Sequence, residues 1–522
     1  MLPGIIAVLA LIGIAAIAAP RLRVPAPVLL SILGLIWGLF PALVPPVIEP
    51  EVVLAIFLPP LLYADAWEAS WRDFRRWLRP ILSLAVGLVA FTILVVGFTV
   101  HALVPHLPWA VCFLIGAIVS PTDTVAVHDV LSHLRMPRRA IAILGGESLI
   151  NDATGLLGVQ LALVVLMTGV FEMHSIALEF ARIAGIGIAA GAAVGFLAVA
   201  VNARLRGTPV LFVASLLAPY LAYAVADAAG ASGVLAVVVA GFVASWRIDV
   251  IAPESRLDLT TDWEILTFLL NALMFLFVGL ATPRVLAANP ALMPDLLGVG
   301  LTVGVVVVVT RFVWFWPAAY IPLWMFPKLR AQEGGYPPPR AVVVGTWCGV
   351  RGAVSLAAAI ALPHTLPDGT PLPGLAVIQA SVLVTILVTL IGQGATLKLV
   401  VHLLNLPDDP ATEAETRKAR EAMIAAGIAR LDAFCTDTSC PIAVYRYRDL
   451  MVDRLAELRD IDESSRRHAT RHLEVSRDVR RAVWQAEASE LLRLRDTGDI
   501  NDRDHQDLQL ELDREHADLA AT

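Results

Sequence analysis

Residues 109–129 read WAVCFLIGAIVSPTDTVAVHD. The stretch is apolar and has the length of one membrane crossing. At its centre stand Ser120-Pro121-Thr122-Asp123-Thr124, where a span of ordinary composition would carry aliphatic side chains. Pro121 removes a backbone donor and disfavours helix at Ser120. Short hydroxyl and carboxylate side chains then compete for the freed backbone groups. A helix broken at mid-membrane exposes carbonyls and half-helix ends, the elements from which transporters build ion sites. The alternative is a simple proline kink with Asp123 satisfied by its neighbours.

The surrounding sequence agrees with a membrane reading. Of 522 residues, 57% are hydrophobic and only 16% charged, against about a quarter charged in a soluble chain; mean hydropathy is +0.73. The charge is uneven. Residues 1–405 are apolar runs joined by short polar links, whereas 406–522 are dense in Arg, Asp and Glu. This predicts a transmembrane domain followed by a helical domain, with amphipathic segments near 415–433, 446–461 and 478–496. The net charge of −7 shows no clustered base, so no nucleic-acid partner is expected. The first basic residue is Arg21, so residues 2–19 read as a first span and not a cleaved signal.

Thirteen spans are expected: 2–19, 24–44, 51–66, 81–104, 109–129, 141–168, 176–202, 209–226, 231–246, 264–282, 295–326, 340–362 and 374–403. With the N-terminus outside, the inside loops 20–23, 67–80, 130–140, 203–208, 247–263 and 327–340 hold sixteen basic residues. The outside loops hold Arg284, with Arg182 near the outer end of a span. This positive-inside bias places the charged tail in the cytoplasm and the chain in a plasma (bacterial inner) membrane.

Intramembrane ionisable residues mark function, because each is costly unless it faces a partner or a cavity. The segment Gly145-Gly146-Glu147-Ser148-Leu149-Ile150-Asn151-Asp152 opens the sixth span. Ser148 and Asp152 share one helix face, and Glu147 and Asn151 the adjacent one. Such hard oxygen donors suit a small alkali cation, and a carboxylate in low dielectric can exchange its proton in the working pH range. Polar glue between helices is the alternative, above all for Asn151. In the twelfth span, Arg351 within Gly349-Val350-Arg351-Gly352 needs an anion. Glu147 and Asp123 are the candidates, and pairing with Glu147 would leave Asp152 free. Pro59-Pro60 is expected to distort the third span, which closes on Asp65, a gate or an interfacial residue.

With Trp263-Glu264, Asn271, Phe275 and Gly279 in the tenth span, these motifs resemble the NhaP-type members of the cation/proton antiporter-1 family, relatives of animal Na+/H+ exchangers. The resemblance covers nearly all of 1–405. It implies an all-α fold of about 13 transmembrane helices: inverted six-helix repeats with two broken helices crossing at mid-membrane. It also implies a homodimer exchanging Na+ or Li+ for H+ without cofactor, by alternating access. Carried over, Asp152, Ser148, Thr122 (through its carbonyl) and Asp123 hold the cation. Asn151 orients the site and Glu147 pairs with Arg351. Some relatives carry a gating Glu where this chain has Ala64, with Asp65 next to it. K+/H+ exchange is the nearest rival, and a channel or a membrane-embedded cation or pH sensor are rivals of other classes.

Other features are discounted. Cys435 and Cys440 with His468 and His472 superficially suggest zinc, but the gap between the pairs is long. His101, His106, His128 and His133 lie near span ends, His128 being the one with a conceivable part in pH sensing. No HExxH pair, Walker loop or nucleophile elbow occurs, which argues against a protease or an ATP-driven pump.

Overall fold

A computed structural model of the chain describes residues 2–22, 24–40, 50–123, 138–169, 173–205, 208–287, 293–366, 369–404, 410–434 and 442–459, with 487, 489–491, 493 and 508. It divides into two compact units, Met1–Asp409 and Pro410–Thr522.

The first unit is built of helices. They are α1 Leu2–Leu22, α2 Ala26–Gly38, α3 Pro50–Glu68 and α4 Trp71–Arg76; α5 Leu78–Leu103; α6 Trp109–Val119, α7 Arg138–Thr168, α8 Met173–Asn202, α9 Thr208–Ala228 and α10 Gly233–Trp246. There follow α11 Pro253–Ala287, α12 Met293–Met325, α13 Pro327–Gln332, α14 Pro339–Trp347 and α15 Ala353–Ile360, then α16 Leu375–Leu404. Each of the thirteen apolar segments contains a described helix; 109–129 holds a helix and a break, and 340–362 a helix, a break and a second helix. Eight helices are long and apolar enough to cross a membrane among the described residues, and α2, α6 and α10 are shorter apolar helices. Helix α11 begins well before its apolar segment, running its charged first turns, Pro253 onward, into the expected loop 247–263.

Two bundles emerge from the packing. In one, α2 lies against α11, α3 and α8 against α10, and α9 against α8 and α10. In the other, α5 packs on α6, α6 on α7, and α12 on α5 and α16. The α2–α11 crossing is close because both helices present glycine: a Cβ on Gly34 would overlap the Leu276 carbonyl, and one on Gly279 the Ser31 carbonyl. Ser31 Oγ donates to Phe275 O at 3.1 Å across the same contact. Small residues allow this approach where lipid supplies no hydrophobic drive. Helices α3 and α11 are the members of the first bundle that meet α15 of the second.

Prolines inside the spans free carbonyls, and lipid offers no water to replace the lost donor. Side chains supply it. Pro121 leaves Ala117 O open, and Ser120 Oγ donates to it at 2.9 Å. Pro60 leaves Ile56 O open, and the Tyr220 hydroxyl donates to it at 2.7 Å. Pro322 leaves Ala318 O open, and Arg79 donates to it at 3.4 Å. The expected distortion at Pro59-Pro60 is accordingly absent as a break: α3 runs unbroken to Glu68, because Tyr220 supplies the donor that Pro60 lacks.

The second unit contains α17 Pro410–Phe434 and α18 Ile442–Arg459. Arg448 Nε donates to Asp432 Oδ1 between them. Cys435, Cys440, His468 and His472 lie outside the described residues, as does nearly all of 478–496.

Candidate functional site

The fifth and twelfth segments are the interrupted ones, at equivalent places in the two six-helix repeats. Helix α6 ends at Val119 and the chain is non-helical through Asp123. Between α14 and α15 it leaves the helix at Cys348–Gly352. The two breaks meet, with Asp123 N donating to Val350 O at 2.8 Å. Gly352 allows the contact, since a Cβ there would overlap the Asp123 carboxylate. Residues 124–137, including Thr124, His128 and His133, lie outside the described residues.

Helix α7 brings its polar residues to the first break. Ser148 Oγ donates to Thr122 O at 3.1 Å. Asn151 Nδ2 donates to Thr122 Oγ1 at 2.7 Å and to Thr122 O at 3.4 Å. Thr122 Oγ1 donates to Glu147 Oε1 at 3.3 Å. Asn151 thus holds the non-helical backbone of the break at Thr122.

Beside this network lies a cavity of about 30 Å³, room for an occupant of roughly one or two waters' size. The second bundle lines it with Pro121, Thr122, Asp123, Ser148 and Asp152, and with Gly352, Val354 and Ser355. The first bundle contributes Leu58, Leu61, Leu62 and Asp65 from α3, and Asn271 and Met274 from α11. Three carboxylates and no basic side chain stand among the lining residues. Asp152 is 8% exposed and Ser148 7%, so both are shielded yet open to the cavity. Asp65, whose place was ambiguous in the sequence, is on this wall, contributed from the facing bundle.

The ion pair expected between Glu147 and Arg351 is not the one formed. Glu147 is held by Arg311 of α12: Nη1 bonds Oε1, and Nη2 donates to Oε2 at 2.9 Å. Both side chains are sequestered, at 1% and 2% exposure. Arg311 also donates to Gly345 O at 3.1 Å and lies 5.2 Å from the Phe315 ring centroid. Room for it comes from Gly349, where a Cβ would overlap the Arg311 side chain. Arg351 instead donates to Ser120 O, a carbonyl exposed by the first break, while its own N–H donates to Thr389 Oγ1 at 3.0 Å. The physical reason is proximity to freed backbone: Arg351 leaves one break and caps the other. Arg311 was missed in the motifs, although a lone Arg in the 33 residues of α12 carries the same intramembrane signal that marked Arg351.

At the Arg-rich ends of these helices, Glu333 gathers two arginines. Arg79 Nε and Nη2 donate to its carboxylate at 2.8 and 3.1 Å, and Arg139 Nη2 at 2.8 Å. The Arg139 guanidinium also lies 4.4 Å from the Trp77 ring centroid. This ties the start of α7 to the segment leading into α14. His101 stacks on Trp109 at 3.8 Å, away from the carboxylates of the cavity.

Comparison with known proteins accords with this arrangement. The chain matches the family described as sodium/hydrogen exchanger, transmembrane, over residues 6–403. It is 32% identical over 525 residues to a Mycobacterium tuberculosis protein named as an uncharacterized Na+/H+ exchanger, covering 99% of this chain and 95% of the relative. It is 29% identical to a Bacillus subtilis protein named as a sodium, potassium, lithium and rubidium/H+ antiporter, over 91% of this chain and 72% of that one. The solved sodium proton antiporter MjNhaP1 of Methanocaldococcus jannaschii shares the fold, with a TM-score of 0.58 at 20% identity, covering 77% of this chain and 99% of that one. With an all-α multi-pass fold, crossed breaks and carboxylates around one small cavity, the chain belongs to the sodium/hydrogen exchanger family of cation/proton antiporters and is a transporter, not an enzyme.

Proposed function

We propose that the protein exchanges Na+ or Li+ for H+, one for one, with Asp152 holding cation and proton in turn. The observation that carries this reading is the cavity wall, where Asp65, Asp123 and Asp152 stand with no basic residue among the lining side chains. A small cation there meets the Asp152 and Asp123 carboxylates, the Ser148 hydroxyl and the Thr122 carbonyl. Glu147 is occupied by Arg311, which leaves Asp152 as the helix α7 carboxylate available to the substrate. Because the wall is shared between two bundles, a shift of one against the other would carry the site from one membrane face to the other. Asp65, on the facing bundle, then acts as a gate that meets the ion in one arrangement only. The basic loops support an N-terminus outside and the charged unit in the cytoplasm of a bacterial inner membrane, and the family supports a homodimer.

The test is dye-monitored proton flux in proteoliposomes on adding Na+, Li+ or K+, with wild type and Asp152→Asn. Dissipation of the pH gradient by Na+ in wild type alone is expected. Response to K+ alone would change the substrate, and response to K+ beside Na+ would broaden it, as in the name of the Bacillus relative. Activity surviving in Asp152→Asn would remove that carboxylate from the mechanism, and no flux with any cation would favour a sensor.

A further inference from the structure

The two repeats end in helices that each touch a break through a hydroxyl, as donor in the first and as acceptor in the second. In α7, Ser148 reaches the first break through Thr122 O, and Asp152 follows four residues later. In α16, Thr389 reaches the second break through Arg351 N, and Gln393 follows four residues later. Gln393 therefore occupies in the second repeat the place that Asp152 occupies in the first. It lies in a π-helical turn, Leu390–Gly394, a local widening that recurs at functional positions. The turn packs on the second break, since a Cβ at Gly394 would stand 4.0 Å from the Val350 side chain.

Gln393 is 3% exposed, and among the described residues neither its amide nitrogen nor its oxygen has a hydrogen-bond partner. Two further buried groups around Thr389 share that state: the Thr385 hydroxyl, one turn away on α16, and Nε of Arg351. A buried amide lacking both partners is costly, and such groups are ordinarily satisfied by ordered water that bonds two to four of them at once. We propose that Gln393, Thr385 and the Arg351 Nε–H bind a small internal water cluster, a neutral counterpart of the cation site. The amide offers a donor and an acceptor without charge, so the second repeat takes water where the first takes an ion. Through the water Gln393 is a positioning residue: it helps hold Arg351, whose terminal nitrogen caps Ser120 O beside Thr122.

The first experiment reads the water directly and does not depend on the transport reading. A high-resolution cryo-electron microscopy map of wild type in lipid nanodiscs should show ordered density at the Gln393 amide and at the Thr385 hydroxyl, along the α16 face that carries Thr389. Gln393→Leu, similar in size and apolar, should abolish that density and lower maximal exchange several-fold with the apparent Na+ KM unchanged. Thr385→Val should produce a smaller change of the same kind, and it covers the case in which Gln393→Leu does not fold. Absence of density in wild type would overturn the proposal. So would a Gln393→Leu protein with raised Tm and unchanged exchange, the result expected of an amide that binds nothing.

Discussion

Arg311 and Glu147, 164 positions apart in sequence, form a two-pronged ion pair inside the second bundle. The pair lies one helical turn from Asp152 and separates two carboxylate roles on one helix. Glu147 is neutralised in place, and Asp152 faces the cavity.

Breaking one half of this pair leaves a buried charge unpaired, which costs on the order of 3–5 kcal/mol. Arg311→Met should therefore lower Tm sharply in a detergent thermal-shift assay. Combining it with Glu147→Gln should recover most of the loss, whereas Arg351→Met with Glu147→Gln should show no such recovery. Equal recovery with either arginine would contradict the geometry.

In the proposed exchange, cation and proton compete for Asp152, so the rate should fall as pH drops and the proton holds the site. A tenfold increase in Na+ should move the acidic midpoint of the rate profile down by up to about one pH unit. A midpoint independent of Na+ would mean that the titrating group is not the cation's own ligand. Proton flux measured across a matrix of pH and Na+ decides this.

Asp65 meets the cavity from α3, a different bundle from Asp123 and Asp152. Asp65→Asn should raise the apparent KM for Na+ while leaving Asp152-dependent exchange measurable. Loss of all exchange at saturating Na+ would place Asp65 with the indispensable residues, and an unchanged KM would remove it from the ion's path.

Tyr220 and Pro60 form a compensating couple around Ile56 O. Tyr220→Phe should destabilise by about 1 kcal/mol, the usual net worth of such a bond. In a Pro60→Ala background the residue-60 N–H can reach Ile56 O itself, so Tyr220→Phe should then cost almost nothing. A double-mutant cycle on thermal unfolding reads the coupling.

Much of the molecule was legible from local sequence. Apolar runs located all thirteen segments, because a span must bury its backbone bonds within itself and expose apolar side chains to lipid. Pro121 located the first break, because a missing N–H acts on the nearest turn. The Ser148–Asp152 face followed from helix periodicity, and the structure places both side chains on one cavity. The reach of α11 past its apolar segment was not legible, since charged turns can continue a helix outside lipid.

Sequence by itself determined that the chain crosses a membrane many times, that its fifth span breaks at Pro121, and that Ser148 and Asp152 share one face of α7. Only tertiary structure decided which partner each intramembrane charge takes. Arg311 and Arg351 carry the same charge and are equally buried, at 1% exposure, and nothing local to either distinguishes them. The choice depends on Gly349 opening space for Arg311 against Glu147, and on the freed Ser120 carbonyl lying within reach of Arg351. It also decided that Asp65 shares a wall with Asp123 and Asp152, since that wall exists only where two separately packed bundles face each other.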